Sequence, residues 1–431
     1  MKNWIIALLA CSPLLVGAQT LSLDEAIKIA LENNYDIVTA SQSKEVARLQ
    51  NHIGNAGMLP KITLNGTASY GLNALRQEFS SGLSVNNNNV NNRAYSAGAA
   101  LDWVVFDGLR MFAVKKRLRT QYDIAGLSEK DQMITTISQV IQTYTLYAAE
   151  TQRLHALQTT AEYFDELAKL AENRLQIGTG NKQESLQAKT DWNAQRSAIL
   201  KQRAYLEQLR IQLNILLNRE SATMFQPDTV IGVNRGLVLD ESLGNAASAN
   251  PAILIAEKNA AVFRANLSEQ ISYQMPQIRV NVAYNYNYSG SSAGFALFNQ
   301  TNGPSALAGV AFPIFDGWRV RRNIASARVQ YENAKFATDY TKLRIAGEVR
   351  IAYETYRRQL EILALEEENI GLAEENMTIA AERYKTGVGT LIESRAAALS
   401  FADAQTRYTQ AQSETKAAET NLLALSGQLV K

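Results

Sequence analysis

Phe106-Asp107-Gly108 returns 209 residues later as Phe315-Asp316-Gly317, and Leu21-Ser22-Leu23-Asp24-Glu25-Ala26 returns 216 residues later as Leu237-Val238-Leu239-Asp240-Glu241-Ser242. Self-similarity on this scale means that one structural unit is built twice. The longer shift also aligns Asn34 with Asn250, Ile37 with Ile253, Pro60 with Pro276 and Ile62 with Ile278. The shorter one aligns Arg174 with Arg383, Gly178 with Gly387 and Glu184 with Glu393. The shift changes between the proline and the Phe-Asp-Gly, where exposed loops absorb length differences. The copies are read as residues 19–218 and 237–431. Residues 219–236, with Pro227 and few periodic apolar positions, read as the linker between them.

Within each copy the order is helix, two extended segments, very long helix, turn, helix. Ser22 and Glu25 make a capping box for a helix over about residues 22–57, which Pro60 terminates. Ile62, Leu64, Gly66, Ala68 and Tyr70 then alternate with polar residues, the period-two pattern of a strand with one apolar face. Ala97, Ala99, Leu101, Trp103 and Val105 do the same in its partner. The second copy keeps the parity with Ile278, Val280, Val282, Tyr284 and Tyr286, then Ala306, Ala308, Val310 and Phe312. Hairpins over 60–106 and 276–315 with strands of about 10 residues fit a transmembrane barrel wall; a pair of soluble hairpins is the plainer alternative. The asparagine-rich run at 86–92 and the Ser/Gly/Asn-rich run at 289–304 read as loops outside the cell.

Asp107 and Asp316 read as structural N-caps of the long helices, predicted over 108–177 and 317–386. About 70 residues at 1.5 Å each is roughly 105 Å, far more than a bilayer needs. The second long helix carries an alternating three-four spacing: Ile345, Val349, Ala352, Tyr356, Gln359, Leu363, Glu366, Ile370, Ala373, Met377, Ala380, Tyr384. That is a coiled-coil seam. Val140, Tyr147, Leu154, Leu157, Phe164, Ala168 and Leu175 are its counterparts in the first copy. Gly178 and Gly387 permit tight turns, after which helices over 181–218 and 390–427 return.

Composition narrows the function. The first eighteen residues read as a secretory signal: Lys2, an apolar run from Trp4 to Val16, and Val16-Gly17-Ala18 at the cut. Leu8-Leu9-Ala10-Cys11 is the alternative, a lipoprotein box that would lipidate Cys11. Cys11 is the single cysteine and His52 and His155 are the two histidines, so no disulfide, thiol nucleophile or histidine cluster is available. Each histidine reads as an ordinary helix residue. With 43 basic against 41 acidic residues the net charge is +2, which gives no footprint for nucleic acid. No catalytic, cofactor-binding or metal-binding residue set emerges, and an enzyme is the weakest reading. Beyond the signal no apolar run is long enough for a transmembrane helix, so a membrane-embedded form must use strands. Four strands cannot close a barrel and open edges are not tolerated in lipid, so the chain must oligomerise; three copies give twelve strands and girth for a passage.

The duplicated helix-hairpin-long-helix plan, the two Phe-Asp-Gly segments and the glycine turns at Glu172-Asn173-Arg174-Leu175-Gln176-Ile177-Gly178 and Glu382-Arg383-Tyr384-Lys385-Thr386-Gly387 resemble the TolC-type outer membrane efflux protein family. The resemblance covers essentially the whole mature chain. It implies a mainly α fold with a small β part: a homotrimeric channel-tunnel with a twelve-stranded β-barrel in outer membrane lipid and a periplasmic α-barrel. It also implies a periplasmic adaptor and an inner-membrane pump of RND or ABC type as partners. By position, Tyr384 matches the family tyrosine at the closed inner end, with Glu184 as its expected partner, and Glu393 matches an acidic ring position. The alternative makes both glutamates solvated helix-start residues. Arg174, Gly178, Arg383 and Gly387 fall on the helix tips that would meet the adaptor. The chain departs from better-studied members at Gly389, where they carry an arginine, and at Ala396, where they carry an aspartate. Arg395 and Lys189 are the nearest electrostatic substitutes. Small-molecule efflux and protein secretion use the same duct, and a pore-less coiled-coil surface protein is the structural alternative.

Overall fold

The computed structural model describes residues 19–294 and 296–430; the signal segment and Cys11 lie outside them. The elements run β1 Gln19–Leu21, α1 Leu23–Asn33, α2 Tyr35–Gln50, β2 Lys61–Glu78, β3 Ser84–Phe106, α3 Arg110–Gln176, α4 Lys182–Leu216, β4 Phe225–Pro227, α5 Leu239–Ala249, α6 Pro251–Ser272, β5 Gln277–Ser291, β6 Phe298–Ala311, α7 Arg319–Lys385 and α8 Leu391–Leu425. The long helices α3 and α7 have 67 residues each, about 100 Å. No helix among the described residues is long and apolar enough to cross a membrane. Two compact units emerge: one of residues 19–41, Leu127–Leu254 and 341–430, the other of Gln42–Gly126 and Ile255–Tyr340.

In the first unit the duplication is visible in the packing. One cluster joins Ala30, Val140, Tyr147, Leu209 and Leu213. The other joins their counterparts Ala246, Val349, Tyr356, Ala418 and Leu422. Each helix expected to run unbroken from Ser22 toward Pro60, or from its repeat, is interrupted at an asparagine. Asn34 Oδ1 accepts from the backbone N–H groups of Asp36 (2.9 Å) and Ile37 (3.4 Å), while its Nδ2 donates to the Leu216 carbonyl at 2.9 Å. Asn250 repeats this with Ala252 (2.9 Å), Ile253 (3.4 Å) and Leu425 (2.8 Å). One side chain thus caps the start of a helix and a carbonyl at the end of another, which removes orphan groups at both.

Other expectations are corrected in the same unit. Ser22 Oγ accepts the Glu25 N–H at 3.2 Å, without the reciprocal bond of a capping box, and Val238 in the repeat has no side-chain cap. The segment read as linker contains β4, which pairs in parallel with β1. It is structured because Tyr144 and Tyr147 reach into it: the Tyr144 hydroxyl donates to the Leu21 carbonyl (2.7 Å) and accepts from the Asp228 N–H (2.8 Å). All twelve seam positions of α7 are buried or half-buried; of the seven on α3 only Leu175 stays exposed.

The second unit holds an antiparallel sheet of order β2-β3-β5-β6. Its strands of 18, 23, 15 and 14 residues exceed the expected ten or so. The run at 86–92, expected as a loop, lies within β3, with Asn87 opposite Leu75 and Asn86 opposite Arg76. Main-chain ladder bonds do not depend on side-chain polarity, so the pairing continues past the apolar stretch. Ile62, Leu101, Val282 and Ala306 form one row across the sheet on one face, and Lys61, Asp102, Asn281 and Leu307 form the next row on the other. The second face is polar, with a Thr67–Ser96 hydroxyl contact at 2.7 Å. Among the described residues β2 and β6 pair on one side only.

Asp107 and Asp316 are not N-caps in the strict sense. Each stands three residues before its helix, and the chain turns through two left-handed residues, Gly108 and Leu109 or Gly317 and Trp318. Across that turn Asp107 Oδ1 accepts from Met111 N–H (3.1 Å) and Asp316 Oδ2 from Val320 N–H (2.9 Å). The first-turn donor is satisfied from outside the helix, and a positive φ at Leu109 and Trp318 is the strain that this geometry stores.

Candidate functional site at the helix tips

Helix α3 ends and α4 begins through Leu175-Gln176-Ile177-Gly178-Thr179-Gly180-Asn181; α7 and α8 repeat the turn through Tyr384-Lys385-Thr386-Gly387-Val388-Gly389-Thr390. Gly178 and Gly387 take φ values of 78° and 81°, the left-handed conformation that closes a helix with little strain only in glycine. The following N–H groups return to the helix: Thr179 and Gly180 both donate to the Arg174 carbonyl at 2.9 Å, Val388 and Gly389 to the Arg383 carbonyl at 3.0 and 2.8 Å. A Cβ at Gly180 would stand 2.9 Å from Arg174 Cβ, and one at Gly389 3.0 Å from Arg383 Cβ. At Gly389 the turn is therefore packed tightly, and a side chain there would have to push the end of α7 back slightly.

Tyr384 is 1% exposed, in a cluster with Phe164, Leu167, Ala168 and Ala171 of α3, Ala188 of α4, and Leu391 and Ala398 of α8. Burial pushes its hydroxyl above the ordinary tyrosine range, the Arg174 charge opposes that shift and Glu184 adds to it. Glu184, the expected partner, acts on Tyr384 only through its charge within one chain; among the described residues the Tyr384 hydroxyl makes no well-formed hydrogen bond. Arg174 engages Tyr384 instead. Its guanidinium lies over the ring, 4.4 Å from the centroid, and Nη2 donates to the Tyr384 carbonyl at 2.6 Å. A charged donor at a C-terminal carbonyl complements the negative end of α7.

The remaining residues assign themselves by contact. Glu184 N–H donates to Asn181 Oδ1 at 2.8 Å. Thr390 and Glu393 form a full capping box, both bonds at 3.2 Å. Within one chain both glutamates therefore stand at helix starts. Arg383, the counterpart of Arg174, is exposed and its side chain has no hydrogen-bond or ion partner among the described residues. Arg395 reaches across from α8 to Asp191 on α4 at 2.8 Å, and Lys189 pairs with Glu172 at 2.9 Å inside the first hairpin.

Sequence reasoning passed over three members of this site. Tyr163 on α3 shares a short hydroxyl contact with Ser394 on α8, and burial raises its titration, partly offset by that bond. Asp191 and Gly180 are the others. Thr390 with Glu393 has the spacing of a capping box, and Gly180 aligns with Gly389 by the shorter repeat shift; both signals were legible. Among the described residues no group of three or more His, Cys, Asp or Glu is placed to hold a metal ion.

A family pattern described as outer membrane efflux protein matches residues 26–219 and 243–428. The chain is 23% identical to the protein CyaE of Bordetella pertussis, over 97% of this chain and 86% of that protein. It is 24% identical to the outer membrane protein OprJ of Pseudomonas aeruginosa, over 85% and 75%. In fold it is similar to the Campylobacter jejuni CmeC outer membrane channel, with a TM-score of 0.78 at 16% identity, covering 95% of this chain and 87% of that one.

Proposed function

Because the chain belongs to the outer membrane efflux protein family, a family of channels rather than enzymes, we propose that it is the passive exit duct of a tripartite efflux or secretion system. It sits in the outer membrane with a long periplasmic portion. Three copies close the barrel: the observation that carries this is the four-stranded sheet whose edge strands β2 and β6 each lack a second partner among the described residues, an arrangement that lipid does not tolerate in an open form. A pore-less surface protein does not account for such a sheet with one apolar face. The helix tips form the inner constriction and the surface that meets a periplasmic adaptor, through Arg174, Gly178, Arg383 and Gly387. Glu393, repeated by three-fold symmetry, rings that constriction. Energy comes from the inner-membrane pump, and either small molecules or a secreted protein pass.

The test combines mass and conductance. Detergent-extracted protein is expected to be a trimer by native mass spectrometry and to give discrete conductance steps in planar bilayers. A monomer without steps sinks the proposal. Gene deletion then separates the cargoes: intracellular dye accumulation marks efflux, and loss of a protein from the medium marks secretion.

A further inference from the structure

The polar face of the sheet is charged only toward one end. From Thr63 to Gly71 on β2, every row across that face is built of Ala, Gly, Ser, Thr and Asn alone, as in Thr67-Ser96-Asn287-Thr301. The two rows at the Lys61 end differ. Lys61 stands opposite Asp102, which stands opposite Asn281, and Arg279 occupies the last row between Val104 and Gly309. On the apolar face the neighbouring positions are Ile62, Trp103, Val280 and Val310, so parity keeps the charges off the side that meets lipid.

These charges do not cancel. Asn281 Nδ2 donates to Asp102 Oδ1 at 2.5 Å, so the carboxylate is held by a neutral group rather than by Lys61. Arg279 Nη2 donates to the neutral Gln277 Oε1 at 3.3 Å. Lys61, Asp102 and Arg279 are all exposed, and two cations against one anion leave a positive charge per copy. A cavity of about 670 Å³ lies at this end of the sheet, lined by Lys61, Asp102, Arg279 and Asn281 together with Leu307 and Gly309. A Cβ on Gly309 would meet nothing within 4 Å, so the space beside Arg279 is left unfilled.

Resting on the trimeric duct reading, we infer that Lys61 and Arg279 form a basic ring in the lumen at the base of the barrel, which favours passage of polyvalent oxyanions over cations. Closure of β6 against the next copy's β2 repeats the group three times around the wall. Rings of lysine and arginine select anions in pores, and a guanidinium matches the geometry of a phosphate or carboxylate. Attraction grows with the charge on the passing group, so a polyvalent anion feels the ring more than chloride does. The uncharged rows beyond it neither oppose nor extend the field. Its sign is opposite to that of the Glu393 ring, so the tips alone do not set which ions the duct favours.

Planar-bilayer recording of the full-length trimer under a potassium chloride gradient tests the ring. Lys61→Gln combined with Arg279→Gln is expected to lower the chloride-to-potassium permeability ratio about twofold near 0.1 M salt and to leave it unchanged near 1 M, because the Debye length falls from about 10 Å to about 3 Å. Asp102→Asn, nearly the same in shape, is expected to raise the ratio, and it keeps the test open if the double variant does not assemble. Inorganic pyrophosphate is expected to reduce the wild-type current more than that of the double variant. Discrete steps with a ratio that stays fixed, or that moves the same way in both variants, overturn the ring and leave the duct reading intact. An equal response to pyrophosphate does the same. The absence of steps from the wild type overturns both.

Discussion

The guanidinium of Arg174 and the ring of Tyr384 lie 4.4 Å apart on different long helices, and the same arginine bonds the tyrosine's carbonyl at 2.6 Å. One residue therefore holds the end of α3 to the end of α7 by two different forces. A cation over a ring contributes about 0.5–2 kcal/mol and a charged hydrogen bond about 1.5–3 kcal/mol, each discounted here for partial exposure.

Arg174→Ala is accordingly expected to weaken tip closure by about 2 kcal/mol, about a 30-fold change in the ratio of closed to open tips. Single-channel recording reads it as a higher resting conductance. Arg174→Lys recovers only part, since an ammonium stacks on a ring less well than a planar guanidinium. Wild-type conductance in Arg174→Ala would detach this contact from closure.

Tyr384→Phe makes the opposite prediction. The hydroxyl is buried and makes no well-formed hydrogen bond among the described residues, so its removal relieves a desolvated group and leaves the cluster around Phe164 and Leu391 filled. Stability and conductance should stay within about 0.5 kcal/mol of wild type. Tyr384→Ala instead empties the cluster, at about 3–5 kcal/mol. A large effect of the phenylalanine variant would mean that the hydroxyl gains a partner on assembly.

The buried tyrosines also set an alkaline limit. Burial raises the titration of Tyr144, Tyr147, Tyr163, Tyr356 and Tyr384 alike. A raised folded value means the folded chain holds these protons more tightly than the unfolded one. The stability is complete below the ordinary tyrosine value of about 10 and is lost as pH rises beyond it. Circular dichroism melts of the wild type should be flat from neutral pH to near that value and then fall. A fall beginning well below it would point to other groups.

The order of elements was legible because a repeat tests itself: a period-two pattern at Ile62-Leu64 that recurs in phase at Ile278-Val280 is hard to mistake. The break at Asn34 was not, since the residues on either side are compatible with helix and the cause is a carbonyl 182 positions away. The aspartates before α3 and α7 were read with the right donor class but the wrong geometry. Nothing local announces that a leucine and a tryptophan will accept a positive φ. At the tips Tyr384 and Glu184 come from the family resemblance by position, whereas the stacking of Arg174 on the Tyr384 ring joins two hairpins far apart in sequence and leaves no local signal.

Asn34 and Asn250 offer a cleaner energetic test than the tips. Each bonds two N–H groups and one distant carbonyl with the same partners displaced by the repeat. Replacing either by alanine should cost about 1–2 kcal/mol, and the two losses should add, since the sites share no partner. Chemical denaturation of the two single variants and the double variant measures it. A double variant far worse than the sum would mean that the two copies melt as one cooperative body.

The last prediction concerns the sheet, where parity decides which face meets lipid. Leu64 and Thr63 are neighbours in β2 whose side chains stand on opposite faces, and Leu64 is 87% exposed in the single chain. With Ile62, Leu101, Val282 and Tyr284 it belongs to the apolar face, and Thr63 belongs to the face that carries Asn65, Thr67 and Ser96. If the apolar face is outward, an arginine at 64 must be placed in hydrocarbon, at about 2–4 kcal/mol near the midplane, whereas an arginine at 63 projects into the water-filled lumen. Leu64→Arg should therefore reduce the amount of folded protein recovered from outer membranes, and Thr63→Arg should assemble normally while shifting the ion selectivity of the pore toward anions. Reversal of these two outcomes would turn the barrel inside out and with it the assignment of every strand residue.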